Sequence, residues 1–322
     1  MTKCVTKKLF SIVIPAYKRA FLKKAINSIL EQTYANFELI IVDDNSPEDL
    51  NSIVSLYNDS RILYYKNKKN CGAIDVVDNW NICLNYAKGD YIICMGDDDM
   101  LAPNALEEYA QLIKKYPNVD LFHSRVKRIN EQDEFIELTD VRPEYESVLS
   151  MIWHRIAYRK QYIGDFLFRT TKLKEVGGFF KLPYAWASDD ITGYIVAREN
   201  GVVHTNNPNF FYRCNQSTIT MSGNAEIKMK ALQATDEWYA NFIANYVPQN
   251  IEDSMLKIMI ERNLSKYSLR QKNILLMQDM YRSNGKSLFK WLRDRKKFQL
   301  SLSLVAFAFI SFLKMKKVGA RF

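Results

Sequence analysis

Between residues 10 and 95 the chain alternates between two periodicities, and this alternation limits its fold more than any other feature. Short apolar runs rich in β-branched and aromatic residues occupy 10–14 (FSIVI), 37–42 (FELIIV), 62–65 and 91–95 (YIICM). Each reads as a buried strand. Between them the apolar residues recur at helical spacing: Phe21, Leu22, Ala25, Ile26, Ile29 and Leu30 within 18–32, then Leu50, Ile53, Val54 and Tyr57 behind Pro47, then the stretch 75–87. Strands alternating with helices build a mostly parallel, doubly wound α/β sheet with right-handed crossovers.

In such a sheet the C-terminal strand ends share one edge, and ligands bind there. Two of the runs end in acidic clusters, Asp43-Asp44 and Asp97-Asp98-Asp99. Adjacent carboxylates repel one another and are costly to bury without a partner, so this edge is suited to a cation. Hard divalent ions, Mg2+ or Mn2+, favour such oxygens and keep positions open for phosphates. The plain alternative for Asp97–Asp99 is a solvated turn ahead of a helix opened by Ala102-Pro103; two clusters on one edge favour the crevice. No Gly-x-Gly-x-x-Gly follows the first strand and there is no P-loop, which disfavours a dinucleotide cofactor and an ATPase.

Further on, the pattern predicts a helix over 103–116, a strand over 120–126 and a hairpin turn at 130–133. The stretch 143–162 is ambiguous. A strand at 166–168 leads to a helical turn over 171–176, stopped by Gly177-Gly178. A helix over 188–200 has Ser188 as N-cap and Gly201 as its stop, and short strands follow at 202–204 and 210–212. After Gly223 the pattern changes to long helices at 225–246, 251–267 and 271–281. The five cysteines (Cys4, Cys71, Cys83, Cys94 and Cys214) have no paired spacing, which suits a reducing cytosol and gives no zinc or redox motif. Nor does the N-terminus read as a signal peptide.

The net charge of +9 is uneven: from Lys266 onward there are 14 Lys/Arg against 2 Asp/Glu. Within this tail, WLRDRKK (291–297) precedes a nearly all-apolar stretch, 300–313. As a helix that stretch spans about 21 Å, short of the ~30 Å of a hydrocarbon core. Two readings stay open, an interfacial anchor on an anionic leaflet and a helix packed on the domain. Nucleic acid is disfavoured, because no recognised motif accompanies the charge.

Several motifs, in order, carry a resemblance. FSIVIPAYKRAFLKKAINSILEQTYANFELIIVDDNS, NWNICLNYAKGDYIICMGDDDML, KLKEVGGFF and FYRCNQSTIT together resemble family-2 glycosyltransferases of the bacterial surface-polysaccharide type, over roughly residues 9–222. The resemblance implies a GT-A fold, Rossmann-like, with a helical, basic C-terminal extension. It implies inverting transfer of a sugar from a nucleotide-diphosphate donor, a UDP-sugar by preference, to a saccharide or lipid-linked acceptor. Residues 1–120 would form the nucleotide-sugar half, 121–224 the acceptor and base half, and 225–322 the helical region with its tail at 291–322. The protein would work in the cytoplasm, peripheral on the inner face of the cell membrane.

Residue by residue, the resemblance places Pro15, Ala16 and Tyr17 under the base and ribose, with Asp43 and Asp44 contacting both. Asp97–Asp99 match the DXD region, with Gly96 where its first aspartate is expected. Asp98 would face ribose or metal, and Asp99 would be the main ligand of Mn2+ or Mg2+. Asn81 lies on the nucleotide-side helix, with Trp80 where the family often has Arg. Asp189 and Asp190 supply the general base, with Asp190 favoured; as a plain alternative the pair caps a helix N-terminus. Tyr212, Arg213 and Ser217 would line the diphosphate and acceptor side, Arg213 being equally readable as a structural ion-pair partner. Gly96 and Trp80 motivate one alternative function, a sugar-nucleotide-binding or assembly subunit with weak catalysis.

Overall fold

A computed structural model describes residues 7–215 and 223–318; Cys4, Ser217 and the end of the FYRCNQSTIT motif lie outside them. The chain begins β1 (Phe10–Ala16), α1 (Leu22–Leu30), β2 (Phe37–Asp43), α2 (Asn51–Val54), β3 (Ile62–Lys66), α3 (Val76–Tyr86) and β4 (Tyr91–Cys94). As the alternation predicts, β3-β2-β1-β4 lie side by side and run parallel. Side chains along these strands alternate between two cores. Ile12, Ile14, Leu39, Ile41 and Ile93 pack with Leu22, Ala25, Ile26 and Ile29 of α1 on one face. Val13, Ile40, Val42, Ile92 and Cys94 pack with Val77, Trp80, Cys83 and Leu84 of α3 on the other. Strands covered on both sides are mostly apolar, which is why these runs lack polar alternation; the buried Ser11 hydroxyl donates to Glu38 on the next strand at 2.6 Å.

The helix expected over 18–32 begins only at Leu22. Its first backbone donors are engaged elsewhere: the amides of Tyr17 and Lys18 donate to Asp97 and that of Arg19 to Glu48.

The second half of the sheet is mixed. After β5 (Met100–Leu101) and α4 (Ala105–Lys115) come β6 (Leu121–Ile129), β7 (Phe135–Leu138), β8 (Tyr145–Glu146) and α5 (Val148–Ile156), which resolves the ambiguous stretch. Next are β9 (Phe166–Arg169), α6 (Thr170–Glu175), α7 (Ser188–Val196) and β10 (Val202–Arg213). β9 inserts antiparallel between β4 and β6, and β10 runs parallel to β6. The two short strands expected at 202–212 are one strand with a register shift around Pro208, a residue that has no amide to give to the ladder. Ser188 is not the N-cap of α7. Ala187 holds that position in left-handed geometry, and Ser188 Oγ accepts instead from the amide of Leu182 at 3.1 Å.

Four helices follow: α8 (Ala225–Ala244), α9 (Ile251–Arg282), α10 (Ser287–Asp294) and α11 (Leu302–Val318). α9 is continuous through 268–270, where two helices were expected; the segment holds no Gly or Pro to stop it. Tyr239, Phe242 and Ile243 of α8 and Ile260 and Tyr267 of α9 join the core beneath the sheet. Beyond them, Leu276 and Met280 of α9 form a separate core with Trp291, Phe298, Leu304, Val305, Ala308 and Phe312. The tail helix is therefore packed along one side. No helix among the described residues is long and apolar enough to cross a membrane.

Candidate active site

The parallel register of β1, β2 and β4 brings three strand ends to one edge. A cavity of about 450 Å³ opens there. Pro15, Tyr17 and Lys18 come from the end of β1, Asp44 from the end of β2, and Gly96–Asp99 from the turn after β4. Val76, Asn79 and Trp80, one face of α3 at spacings of three and four, line it, as do Ile163 and Tyr212. Tyr212 is held by stacking on Tyr162, with ring centroids 4.1 Å apart.

The two acidic residues after β2 point different ways. Asp43 is fully buried and accepts from the Ser46 amide at 2.7 Å and the Tyr64 hydroxyl at 2.7 Å, with Lys66 at 3.5 Å. It shapes the turn and does not line the cavity. Asp44 does line it, with Oδ1 held by the Cys71 amide and Asn67 Nδ2, each at 2.9 Å.

The Asp97–Asp99 turn divides its work in a similar way. Asp97 Oδ2 accepts from the amides of Tyr17 at 2.7 Å and Lys18 at 2.6 Å, so it ties the loop after β1 over the end of β4. Burial first, and Asp98 beside it second, push its carboxyl up to about 6. Asp98 Oδ2 accepts from Asn215 Nδ2 at 2.6 Å and Asp99 Oδ1 from the Arg213 amide at 2.9 Å. Their other oxygens converge. A Cβ placed on Gly96 would lie 2.8 Å from Asp98 Oδ1 and 2.9 Å from Asp99 Oδ2. Burial and the Asp98 charge raise the Asp99 carboxyl well above its usual range.

Two carboxylate oxygens meeting in a buried turn, held by backbone and an asparagine amide, fit a hard divalent ion that keeps positions for phosphate oxygens. Among the described residues no cluster of three or more His, Cys, Asp or Glu ligands exists, so further ligands would come from donor and water. Gly96, which departs from the family pattern, leaves the space these oxygens occupy.

Four residues expected at the donor are not on the cavity wall. Ala16 is buried in the core under the strand end, and Asp43 supports its turn. Asn81 is held by the backbone of Phe179, accepting its amide at 2.8 Å and donating to its carbonyl at 3.1 Å. Only glycine fits at 178, where φ is +87° and a Cβ would meet Asn81 Oδ1 at 2.4 Å. Arg213 is buried, with Nε donating to the Asp98 carbonyl at 2.8 Å, Nη1 paired with Asp133 at 2.5 Å, and its guanidinium over the Phe21 ring. It orients the acidic turn from behind. Sequence reasoning did not assign Lys18, Val76 or Asn79 to the site. The i, i+3, i+4 pattern of Val76, Asn79 and Trp80 was visible, but nothing in it told cavity from core.

The second acidic pair lies at the start of α7, off the cavity wall. Asp190 is almost fully buried, and both its oxygens are taken. Arg155 Nε of α5 reaches them at 2.9 and 3.1 Å, and Gln161 Nε2 donates to one at 2.6 Å. Asp189 is half-buried and accepts the Asp190 amide at 2.9 Å. Burial and the neighbouring Asp190 charge push its carboxyl up to about 7, with Arg155 pulling the other way.

Residues 11–175 match the sequence model of glycosyl transferase family 2. Among curated proteins, the chain is 33% identical over 123 residues to UDP-Glc:alpha-D-GlcNAc-diphosphoundecaprenol beta-1,3-glucosyltransferase WfgD of Escherichia coli, covering 38% of this chain and 47% of that one. Other curated relatives are matched over about a third of their own length, 34% and 37% for two of them. Among solved structures, S. aureus TarS 1-349 in complex with UDP-GlcNAc superposes with a TM-score of 0.63 at 14% identity, over 97% of this chain and 93% of TarS 1-349. The mannosyltransferase PcManGT from Pyrobaculum calidifontis, in complex with GDP-Man and Mn2+, does so at 0.57 and 15%, over 96% and 88%. These likenesses give the GT-A fold, and the match over half its length makes the chain a member of glycosyl transferase family 2.

Proposed function

We propose that this chain transfers a sugar, with inversion, from a uridine diphosphate sugar to a saccharide or lipid-linked saccharide acceptor in surface-polysaccharide synthesis, and that it requires a divalent cation. One observation carries the reading. The oxygens of Asp98 and Asp99 converge beside Gly96, in the wall of a cavity that Tyr17, Asp44 and Trp80 also line. A nucleoside diphosphate offers matching parts, a flat base whose faces stack on aromatic rings and a dense anion that a cation neutralises. Support for uridine comes from WfgD, whose name gives UDP-Glc as donor, and from TarS, solved with UDP-GlcNAc; support for the metal comes from PcManGT, solved with Mn2+.

In this reading Asp98 and Asp99 hold Mn2+ or Mg2+, and Pro15, Tyr17 and Asp44 hold the nucleoside. The bound ion supplies neutralisation of charge developing on the departing diphosphate. Lys18, the basic residue among those lining the cavity, adds positive charge on the same side. The Asp189–Asp190 pair takes the proton. Asp190, fixed by Arg155 and Gln161, holds the pair in place, and the two carboxylates act together as the general base. The acceptor hydroxyl loses its proton to the pair as its oxygen bonds to the anomeric carbon. The bond from that carbon to the diphosphate breaks on the opposite face, and the nucleotide leaves with the electron pair. No covalent enzyme intermediate forms.

The test is release of nucleotide diphosphate from a panel of nucleotide sugars, with Mn2+, with Mg2+ and with chelator, for the wild type, Asp99→Ala and Asp190→Asn. Metal-dependent release from one donor, lost in both variants, supports the reading and names the sugar. Metal-dependent binding without turnover in the presence of acceptor would favour a binding subunit.

A further inference from the structure

The tail helix α11 has two faces of different character. At 100° per residue, Leu304, Val305, Ala308 and Phe312 fall on one side, and they are the residues buried against α9 and Trp291. Leu302, Phe307, Ile310 and Leu313 fall on the other and are 55%, 59%, 50% and 47% exposed. An amphipathic helix of a globular protein normally presents polar residues on that side. Four large apolar side chains there form a patch, and a contiguous exposed apolar patch marks an interaction surface.

The charges bordering the patch identify its partner. Lys314 and Lys317 continue the same exposed arc one turn further on, and among the described residues neither is in an ion pair. Between 280 and 318 the sequence holds one acidic residue, Asp294, and Arg293 pairs with it at 2.8 Å. Phe289 on the preceding helix is 78% exposed. The surface is thus apolar with an unopposed positive border. A protein partner matched to it would have to supply both an apolar groove and a ring of carboxylates, whereas an anionic bilayer offers both over any area. The helix spans about 25 Å at 1.5 Å per residue, so it is too short to cross the ~30 Å of hydrocarbon but long enough to lie along an interface.

We propose that the exposed face of α11 docks this protein on an anionic membrane surface. Phe307, Ile310 and Leu313 enter the headgroup boundary, Lys314 and Lys317 meet lipid phosphates, and the opposite face stays packed on α9. The inference stands on the helix alone and does not depend on the donor site.

Flotation of the full chain with phosphatidylcholine vesicles, with and without phosphatidylglycerol, tests it. The wild type should float with the anionic vesicles, weaken as salt rises and stay behind with phosphatidylcholine alone. Phe307→Ser/Ile310→Ser/Leu313→Ser and, separately, Lys314→Glu/Lys317→Glu should each lower the bound fraction at least tenfold. Both should keep the wild-type thermal unfolding curve and UDP binding, since none of these side chains belongs to the helical core or the donor cavity. If the triple variant unfolds, Phe307→Ser alone serves and should lower binding severalfold. Failure of the wild type to float, or variants that float as well as it does, would overturn the proposal. So would a concentration-dependent dimer in light scattering that the triple variant abolishes, because the face would then belong to a second copy.

Discussion

Two of the acidic clusters, Asp97–Asp99 and Asp189–Asp190, are held in different ways. At Asp97–Asp99 the carboxylates accept hydrogen bonds from backbone amides and one asparagine, which are neutral donors. At Asp189–Asp190 the counterpart is built in, as the Arg155 guanidinium. In the proposed function the first cluster takes an external cation and, through it, the phosphates of the donor. At the second, Asp190 keeps its Arg155 partner whether or not anything binds, and in the proposed function that fixed carboxylate holds Asp189 beside it.

The contrast can be broken most severely at the first cluster. Asp99→Ala should reduce metal-dependent turnover by at least a hundredfold, equivalent to about 3 kcal/mol of transition-state stabilisation. Nucleotide release in manganese titrations checks this. Asp97→Asn, which removes charge from the carboxylate tying down the Tyr17-Lys18 loop, should cost less in turnover than Asp99→Ala, although the two residues lie in one turn.

At the second cluster, Arg155→Met leaves Asp190 without its charge partner. Breaking a fully buried pair from one side costs about 3–5 kcal/mol. Arg155 is 27% exposed, so a loss of about 2 kcal/mol is expected in urea unfolding. Arg155→Met combined with Asp190→Leu should recover most of that stability but no turnover. A double variant as unstable as the single one would mean that the pair is not self-balanced.

A smaller effect sharpens the role of Asp189. Its carboxyl lies at about 7, against an ordinary value of 3.8, so turnover should fall as pH drops through about 7, and Asp189→Asn should remove that inflection. The stability effect has the opposite sense to that of a salt-bridged carboxylate. Between about pH 4 and 7 the folded state binds the proton more tightly than the unfolded one, so this group's contribution declines as pH rises across that window. Asp189→Asn should therefore raise the melting temperature at pH 8 relative to wild type and change little at pH 4. The smallest effect is expected at Asn81. Asn81→Ala removes two hydrogen bonds to Phe179, for about 1–2 kcal/mol of stability, and should change the KM for donor less than threefold.

The same contrast explains what the sequence made legible. The parallel half of the sheet could be read because its signals are local: β1, β2 and β4 are mostly apolar runs, and parallel pairing alone puts Asp44 and Asp97–Asp99 on one edge. The roles of individual side chains could not be read, since they depend on long-range partners. Nothing near Asn81 in the chain announces Phe179, and nothing near Asp190 announces Arg155. Arg213 looked equally like a diphosphate ligand and a buried ion-pair partner, and the structure places it behind the acidic turn with Asp133. For α7, a favourable N-cap residue at Ser188 was outweighed by the chain's left-handed entry at Ala187. In the tail, periodicity identified a short apolar helix but not which of its sides was covered.

In the proposed function Asp98 and Asp99 form an incomplete cation site that a nucleoside diphosphate completes. Calorimetric titration of UDP into the full chain, with Mn2+ and again with chelator, tests this most directly when run beside Asp98→Asn/Asp99→Asn. The expected result is tight binding with Mn2+, binding at least tenfold weaker with chelator, and no response to Mn2+ in the double variant. Equal affinity with and without the metal, unchanged in the double variant, would contradict it.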